Sequence, residues 1–362
     1  MTPLLLSVFP TFAMGGAQSR FVTLANHFGP AWRHAIVAMD GEAGARERLD
    51  PRLQVTFPDV GIRKGDTIGN VRRFHGALRT LRPAALLTHN FGSIEWAMAN
   101  RLRLVHHVHV EDGFGPEERH KQIRRRVWLR RVFLRGRTVA LPSRNLMRIA
   151  SEIWRLPPET LRYVPNGIDL NRFTGPPTTQ PWPGTGPVIG TVTALRPEKN
   201  LARLMRAFHI AAAAIPARLV LIGDGIERPA LEQLAHNLGI ADRVLFTGHI
   251  SDPAPLITAL DVFALSSDTE QMPMSLLEAM AAGLPAAATD VGDIKTMLAE
   301  PGRRFVTALD DAALGQALAE LIRSPELRLE IGAANRAKAE REFNQDTMFR
   351  AWADLLAGPA PY

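Results

Sequence analysis

The sequence predicts an α/β protein of two doubly wound parallel sheets in tandem, and three observations carry that expectation. Short runs rich in Val, Ile, Leu and Ala alternate with amphipathic stretches of helix length, the pattern of strands joined by crossover helices. The alternation runs twice, before and after a segment from 174 to 187 in which prolines remove backbone donors and glycines add unfolded freedom, so that segment reads as an interdomain linker. A length of 362 residues, 46% hydrophobic and 22% charged, supplies two cores and argues against disorder.

In the first half the strand-length runs fall at 4–9, 34–39, 53–57, 84–89, 104–109 and 138–141; in the second they fall at 188–192, 218–222, 244–246, 262–265, 286–289 and 304–306. The first run is short and no basic residue precedes it, so it reads as a buried strand and not as a signal peptide. Helices close the chain from about Asp310, and the last, over 343–356, carries Phe349 and Trp352 on an amphipathic pattern. No apolar stretch approaches the roughly 18–20 residues of a bilayer span. The lack of cysteine excludes disulfides, thiolate zinc sites and a cysteine nucleophile, and fits a reducing compartment. The expected location is cytoplasmic, soluble or peripheral on the inner face of the cytoplasmic membrane.

The net charge of +7 is unevenly placed, because nine of the cations, from Arg119 to Arg137, fall in nineteen residues without an acid. Interleaved Ile123, Val127, Trp128, Leu129, Val132, Phe133 and Leu134 predict a helix with a buried apolar stripe and a cationic face. A solvated helix face, attraction to anionic lipid headgroups and nucleic-acid binding compete as readings. The segment has no stacking aromatics beyond Trp128 and Phe133, both of which a core can claim, which counts against nucleic acid.

The chemistry-bearing motifs follow strands, where doubly wound sheets collect their ligands. Glu270 and Glu278 stand eight residues apart, one ahead of a helix that begins near Pro273 and one inside it. Carboxylates suit sugar or ribose hydroxyls and the amides of a helix start suit a diphosphate, so the spacing asks for a nucleotide sugar; the competing reading is two solvated surface acids. Arg196 and Lys199 lie three apart at a helix entry, a planar fork and a point charge suited to a diphosphate, or else a surface cluster with Glu198. Gly15-Gly16 after the first strand, Gly223-Asp224-Gly225 and Thr247-Gly248-His249 are turns at which backbone can approach a ligand. Of the histidines in the run from His106 to Gly115, 107 and 109 share a strand face that 106 does not, which disfavours a metal site.

Taken in order, Val164-Pro165-Asn166-Gly167-Ile168-Asp169, Arg196 to Lys199, Gly223-Asp224-Gly225, Phe246-Thr247-Gly248 and the two glutamates resemble the family 4 retaining glycosyltransferases. The resemblance covers nearly the whole chain, is weakest over 40–100, and is most characteristic from Ser266 to Gly292. It implies the GT-B architecture: an acceptor-side domain over 1–170, a nucleotide-sugar domain over 171–342 facing it across a cleft, and a helix over 343–362 crossing back. It implies transfer of a hexose from a nucleotide-diphosphate donor, UDP- or GDP-linked with UDP favoured, to a glycan or lipid-linked glycan in surface polysaccharide or glycoconjugate synthesis. No metal or further cofactor is implied.

Carried over by position, Arg196 and Lys199 match the diphosphate-binding pair, Glu270 the acid on the donor sugar and Glu278 the ribose ligand. Met274, Ser275 and Leu276 match the donor-binding helix start, Gly15 and Gly16 the facing loop, and Gly223, Gly248 and His249 the nucleotide side. His109 matches the histidine of the active cleft, with Glu111 and Asp112 beside it on the acceptor side; a buried hydrogen-bonding histidine is the competing reading. His89 and Asn90 at another strand end are further acceptor-side candidates. The chain departs from the family pattern in having Gln271-Met272 where Gly-Phe is common, and Asp112 where a second histidine is common. A nucleotide-sugar epimerase or hydrolase, and a non-catalytic nucleotide-sugar-binding protein at the membrane, remain as alternatives, and the basic stretch makes an anionic membrane surface a candidate partner while nucleic acid is not expected.

Overall fold

The computed structural model describes residues 2–118, 121–174, 186–213 and 215–358. The chain forms two compact units, one of residues 1–165 with 348–362 and the other of residues 166–347. Positions 175–185 of the expected linker lie outside the described residues.

Among the described residues the first unit holds strands β1 (Leu4–Phe9), β2 (Arg33–Ala38), β3 (Val55–Thr56), β4 (Ala85–His89), β5 (His106–Val110), β6 (Thr138–Leu141) and β7 (Leu161–Tyr163). All pair in parallel, in the order β3-β2-β1-β4-β5-β6-β7. The order reverses between β1 and β4, so the chain leaves both strands on opposite sides of one crevice. Successive residues of a strand face opposite sides, and the burial follows: Leu5, Ala85 and Leu87 join one core cluster, Leu6, Val8 and Leu86 another. The helix Gln345–Ala357 adds Met348, Trp352 and Leu356, spaced four apart on one stripe, to the cluster of Leu5 and Phe9.

The second unit repeats the design with β8 (Val188–Val192), β9 (Arg218–Ile222), β10 (Val244–Gly248), β11 (Val262–Leu265), β12 (Ala286–Thr289) and β13 (Val306–Thr307), parallel in the order β10-β9-β8-β11-β12-β13. Ile189, Leu219, Leu221 and Ala264 face the helices Leu201–Ala211 and Asp311–Arg323, while Val188, Val220, Phe263 and Leu265 face the helix Met274–Ala281. Each buried Leu or Phe contributes about 1.5–3 kcal/mol, and this two-sided burial fixes the strand ends from which the site is built. β7 was not foreseen: it has three residues and only Leu161 of them is buried, too little for a period to register.

The basic stretch requires a correction. Its described part forms the helix Arg124–Phe133, but the helix does not present a uniformly cationic face. Arg130 is 1% exposed and pairs with Glu111 at 3.0 Å and Glu118 at 3.3 Å. Arg126 also reaches Glu118, Arg131 donates to the carbonyls of Trp154 and Ile153, and buried Arg137 donates to those of Asn100 and Arg101. Trp128, expected in the core, is instead 57% exposed, and Ile123 and Val132 are exposed with it. Arg119 lies outside the described residues.

Candidate active site

In the second unit, two loops far apart in sequence are laced together. The chain leaves β8 into a short 3-10 turn, Pro197–Lys199, and Asn200 then adopts a left-handed φ of 44° and caps the helix Leu201–Ala211 by accepting from Arg203 N–H. From the end of β11, Ser266 Oγ donates to the Lys199 carbonyl at 2.9 Å, and Asp268 N–H donates to the Glu198 carbonyl at 2.9 Å. Asp268 Oδ1 accepts from Asn200 Nδ2 and from Arg203, which also binds the Ser266 carbonyl. This lacing sets Lys199 against Glu270: Nζ to Oε1 is 2.6 Å, and Ser267 Oγ donates to the same oxygen at 2.8 Å. Among the described residues no hydrogen bond reaches Glu270 Oε2. Arg196, at the other end of the turn, is exposed and has no acidic partner among the described residues.

Pro273 occupies the N-cap of the helix Met274–Ala281, with no side-chain cap. Leu276 N–H already donates to the Pro273 carbonyl at 3.2 Å and its side chain is fully buried, so Leu276 differs from the expected phosphate-facing amide; the uncapped first-turn amides are those of Met274 and Ser275. One turn on, the half-buried carboxyl of Glu278 has no hydrogen-bond partner among the described residues. Burial pushes its pKa up to about 7; the Arg172 guanidinium opposes the shift, while Asp252 adds to it. Such a carboxyl is an unspent acceptor held beside a helix start.

Glycines bring the remaining strand ends close. Gly223 has φ 141°, and a Cβ there would lie 1.9 Å from the Thr193 carbonyl oxygen; its N–H donates to the Gly248 carbonyl at 3.1 Å. His249 follows, exposed. Thus Arg196, Lys199, Gly223, Gly248, Glu270, Met274, Ser275 and Glu278 all stand at carboxyl ends of strands of one sheet or on the helix that packs against it. The sequence reading missed Ser267, Asn200, Asp268 and Arg203, which hold Lys199 and Glu270 in place. Asn200 at a helix start and two serines ending a strand were the available signals.

The acceptor-side candidates lie in the first unit, and most are enclosed. Gly15 and Gly16 follow β1, exposed, with Gly15 at the N-cap of the helix Gly16–Phe28 and no side-chain cap. His109 is fully buried, bonded to Thr88 Oγ1 at 2.9 Å and 3.5 Å from Glu111, so it is a hydrogen-bonded interior histidine and not an imidazole open to solvent. Thr88 Oγ1 also meets His107 at 2.7 Å, as their shared strand face requires. Glu111 is fully buried against Arg130; burial alone would raise its pKa, and the guanidinium together with His109 holds it below the usual range. Asp112 pairs with Arg20 at 2.6 Å, and that partner and His89 outweigh burial and hold the carboxyl well below the usual range. His89 stacks on Phe9 at 3.9 Å, and burial lowers its pKa to about 4, so it is neutral at pH 7. Asn90, at a left-handed φ of 54°, accepts from Asp112 N–H at 2.7 Å. Glu111 and Asn90 are therefore engaged by internal partners, while His89 is buried and Asp112 half-buried, with both His89 ring nitrogens and Asp112 Oδ2 lacking a hydrogen-bond partner among the described residues; none of the four is an exposed acceptor ligand in this structure. Among the described residues no group of three or more His, Asp or Glu side chains is arranged to hold a metal.

Two parallel-sheet α/β units in tandem, each with its strand order reversed about a central crevice, are the plan of a GT-B protein, and comparison with known proteins agrees. Residues 14–172 match the description Glycosyltransferase Family 4, and residues 178–338 match Glycosyl transferases group 1. The chain belongs to the family 4 (group 1) glycosyltransferases. It is 32% identical over 225 residues, 56% of this chain and 57% of the other, to a GDP-mannose-dependent alpha-(1-6)-phosphatidylinositol monomannoside mannosyltransferase of Mycobacterium tuberculosis. It is 30% identical over 156 residues, 43% of this chain and 41% of the other, to the N-acetyl-alpha-D-glucosaminyl L-malate synthase of Bacillus anthracis. The chain thus spans about half the length of the curated relatives it matches. The crystal structure of Anabaena HepE in complex with UDP-glucose superposes with a TM-score of 0.81 at 17% identity, over 98% of this chain and 99% of that one, a likeness that establishes the fold.

Proposed function

We infer that this chain is a retaining glycosyltransferase that moves a hexose from a nucleotide-diphosphate donor to a glycan or lipid-linked acceptor. The observation that carries this is the Lys199–Glu270 contact at 2.6 Å, made by residues 71 apart in sequence, together with Glu278 on the helix without a side-chain cap that follows Glu270 in the chain. Cleavage of the anomeric C–O bond builds positive charge on the sugar and negative charge on the departing diphosphate. Arg196, Lys199 and the amides of Met274 and Ser275 meet that negative charge, Glu270 Oε2 takes a sugar hydroxyl, and Glu278 takes the ribose. Removing one such preorganised donor costs about 3 kcal/mol, roughly a hundredfold in rate. Relatives whose names specify GDP-mannose and a neighbour crystallised with UDP-glucose support a nucleotide-sugar donor. The test is a panel of UDP- and GDP-sugars scored first by thermal stabilisation and then by transfer or hydrolysis with retention at the anomeric carbon. A chain stabilised by none of them would refute the reading.

The same reading includes peripheral attachment to anionic membranes. Exposed Trp128, Ile123 and Val132 stand among Lys121, Arg124, Arg125 and Arg135, the mixture of amphipathic ring, apolar side chains and cations that suits a headgroup region. Sedimentation with phosphatidylglycerol vesicles, lost in 0.5 M salt and weakened by Trp128→Ser, is the expected result; equal sedimentation of wild type and variant would remove this part.

A further inference from the structure

A cavity of about 940 Å³ lies in the first unit, lined by residues at the ends of β1 and β2 and by the segment from Phe57 to Gly65. None of the residues assigned above lines it. Its lining mixes the ring of Phe57 with Asp59, Glu95, Arg46, Arg63 and Lys64.

Hydrogen bonding divides those charges into two groups. The acids are engaged: Asp59 Oδ1 accepts from Gly61 N–H at 2.9 Å, and Glu95 Oε2 accepts from Asn70 Nδ2 at 3.0 Å. Asp40, at the rim, accepts from Glu42 N–H at 3.0 Å. Among the described residues no carboxylate forms an ion pair with Arg46, Arg63 or Lys64, although Asp66, engaged by Arg73, lies near enough for Arg63 to help hold its carboxyl low; Arg46 lies over the Phe57 ring at 5.3 Å. The formal charges of the lining cancel, three cations against three acids, but the acids carry hydrogen bonds and the three cationic heads are the charged groups left to receive a ligand's oxygens.

The loop that carries two of these cations is held rigidly. Asn70, only 3% exposed, accepts from Arg63 N–H at 3.0 Å and donates to the Arg63 carbonyl at 2.9 Å, so one buried side chain clasps both backbone groups of one exposed arginine. Asn70 is itself fixed by Arg73 at 2.7 Å, and Arg73 by Asp66 at 2.8 Å. Gly61 and Gly65, with φ of 66° and 84°, turn the chain on either side. A guanidinium and an ammonium are thus presented on an ordered backbone, which lowers the entropic cost of binding an anion.

We propose that this cavity receives a phosphate ester of the acceptor, with Arg63 and Lys64 on the phosphate oxygens and Phe57 and Glu95 against the attached polyol. The proposal rests on the glycosyltransferase reading for the word acceptor, and on the cavity alone for the anion. A soluble phosphorylated polyol and a phospholipid headgroup share this chemistry. The probes are glycerol 3-phosphate, with glycerol as the neutral control, and phosphatidylglycerol vesicles against phosphatidylcholine vesicles.

The full chain should bind glycerol 3-phosphate or the phosphatidylglycerol vesicles, and not the neutral control. Arg63→Ala/Lys64→Ala should weaken whichever arm responds by about tenfold or more, since two charge-assisted hydrogen bonds are lost. Arg196→Ala/Lys199→Ala should leave that binding unchanged. Response in the first arm assigns a soluble ester, and a response in the vesicle arm alone that persists in Trp128→Ser and is lost on adding Arg63→Ala/Lys64→Ala assigns a headgroup. No response in either arm, undiminished binding by the Arg63/Lys64 variant, or loss in the Arg196/Lys199 variant overturns the proposal. Binding of UDP and GDP to the same preparations reports on the glycosyltransferase reading separately, and its retention in the Arg63/Lys64 variant shows that the variant is folded.

Discussion

Replacing Glu278 by glutamine should make the protein more stable and a worse binder of nucleotide. The carboxyl pKa stands at about 7 in the folded chain against an ordinary 4.5, chiefly from burial. Between those two values the folded state holds a proton that the unfolded state has released, so stability falls as pH rises through the window and the loss is complete above about 7. Holding the carboxyl near 7 instead of 4.5 corresponds to roughly 3 kcal/mol of destabilisation above pH 8. Glu278→Gln should match wild type below about pH 4, where the carboxyl is neutral in both the folded and the unfolded chain, and gain up to about 3 kcal/mol at pH 8.5. Denaturant melts followed from about pH 4 to 8.5 measure this directly. The ionised carboxylate is the better acceptor for ribose hydroxyls, so wild-type affinity for UDP or GDP should rise from pH 6 to 8 with release of a proton. The variant should bind about tenfold more weakly and without that pH dependence. Parallel melts for the two proteins across the pH range would refute the buried-acid argument, and undiminished nucleotide affinity in the variant would refute the ribose assignment.

Lys199→Ala and Arg196→Ala should each cut turnover by about a hundredfold or more while leaving circular dichroism unchanged, because both act on the departing charge and neither is deeply buried; wild-type rates in either variant would contradict the role. Arg130→Ala should destabilise the first unit by about 3–5 kcal/mol in a thermal melt, since Glu111 and Glu118 would be left buried without their shared cation. Gly223→Ala should lower the melting temperature and the nucleotide affinity together, because the added carbon meets the Thr193 carbonyl oxygen at 1.9 Å in a backbone conformation that suits only glycine.

Much of the fold is written in local patterns. The runs at 4–9, 138–141, 188–192, 218–222, 262–265 and 286–289 coincide with β1, β6, β8, β9, β11 and β12, because each is a buried parallel strand with apolar residues on both faces. Boundaries slipped at edges, as in β13, where the expected 304–306 became Val306–Thr307. The positions of Arg196, Lys199, Glu270 and Glu278 were legible because their chemistry follows strand ends. Their partnerships were not, since a contact such as Ser267 with Glu270, or Asn200 with Asp268, depends on which loops the sheet order brings together. The basic stretch shows the same limit: Arg130 and Arg124 are identical in sequence terms, yet one lies inside the fold against two glutamates and the other in solvent. Charge counted along a chain does not reveal which acids a neighbouring strand will supply.

The most direct measurement compares UDP with UMP, and GDP with GMP, by calorimetry on wild type and on Arg196→Ala/Lys199→Ala. Wild type should hold the better diphosphate at least about tenfold more tightly than its monophosphate, and the double variant should bind both alike. If the preference for the second phosphate persists without those two side chains, the donor diphosphate does not rest on Arg196 and Lys199.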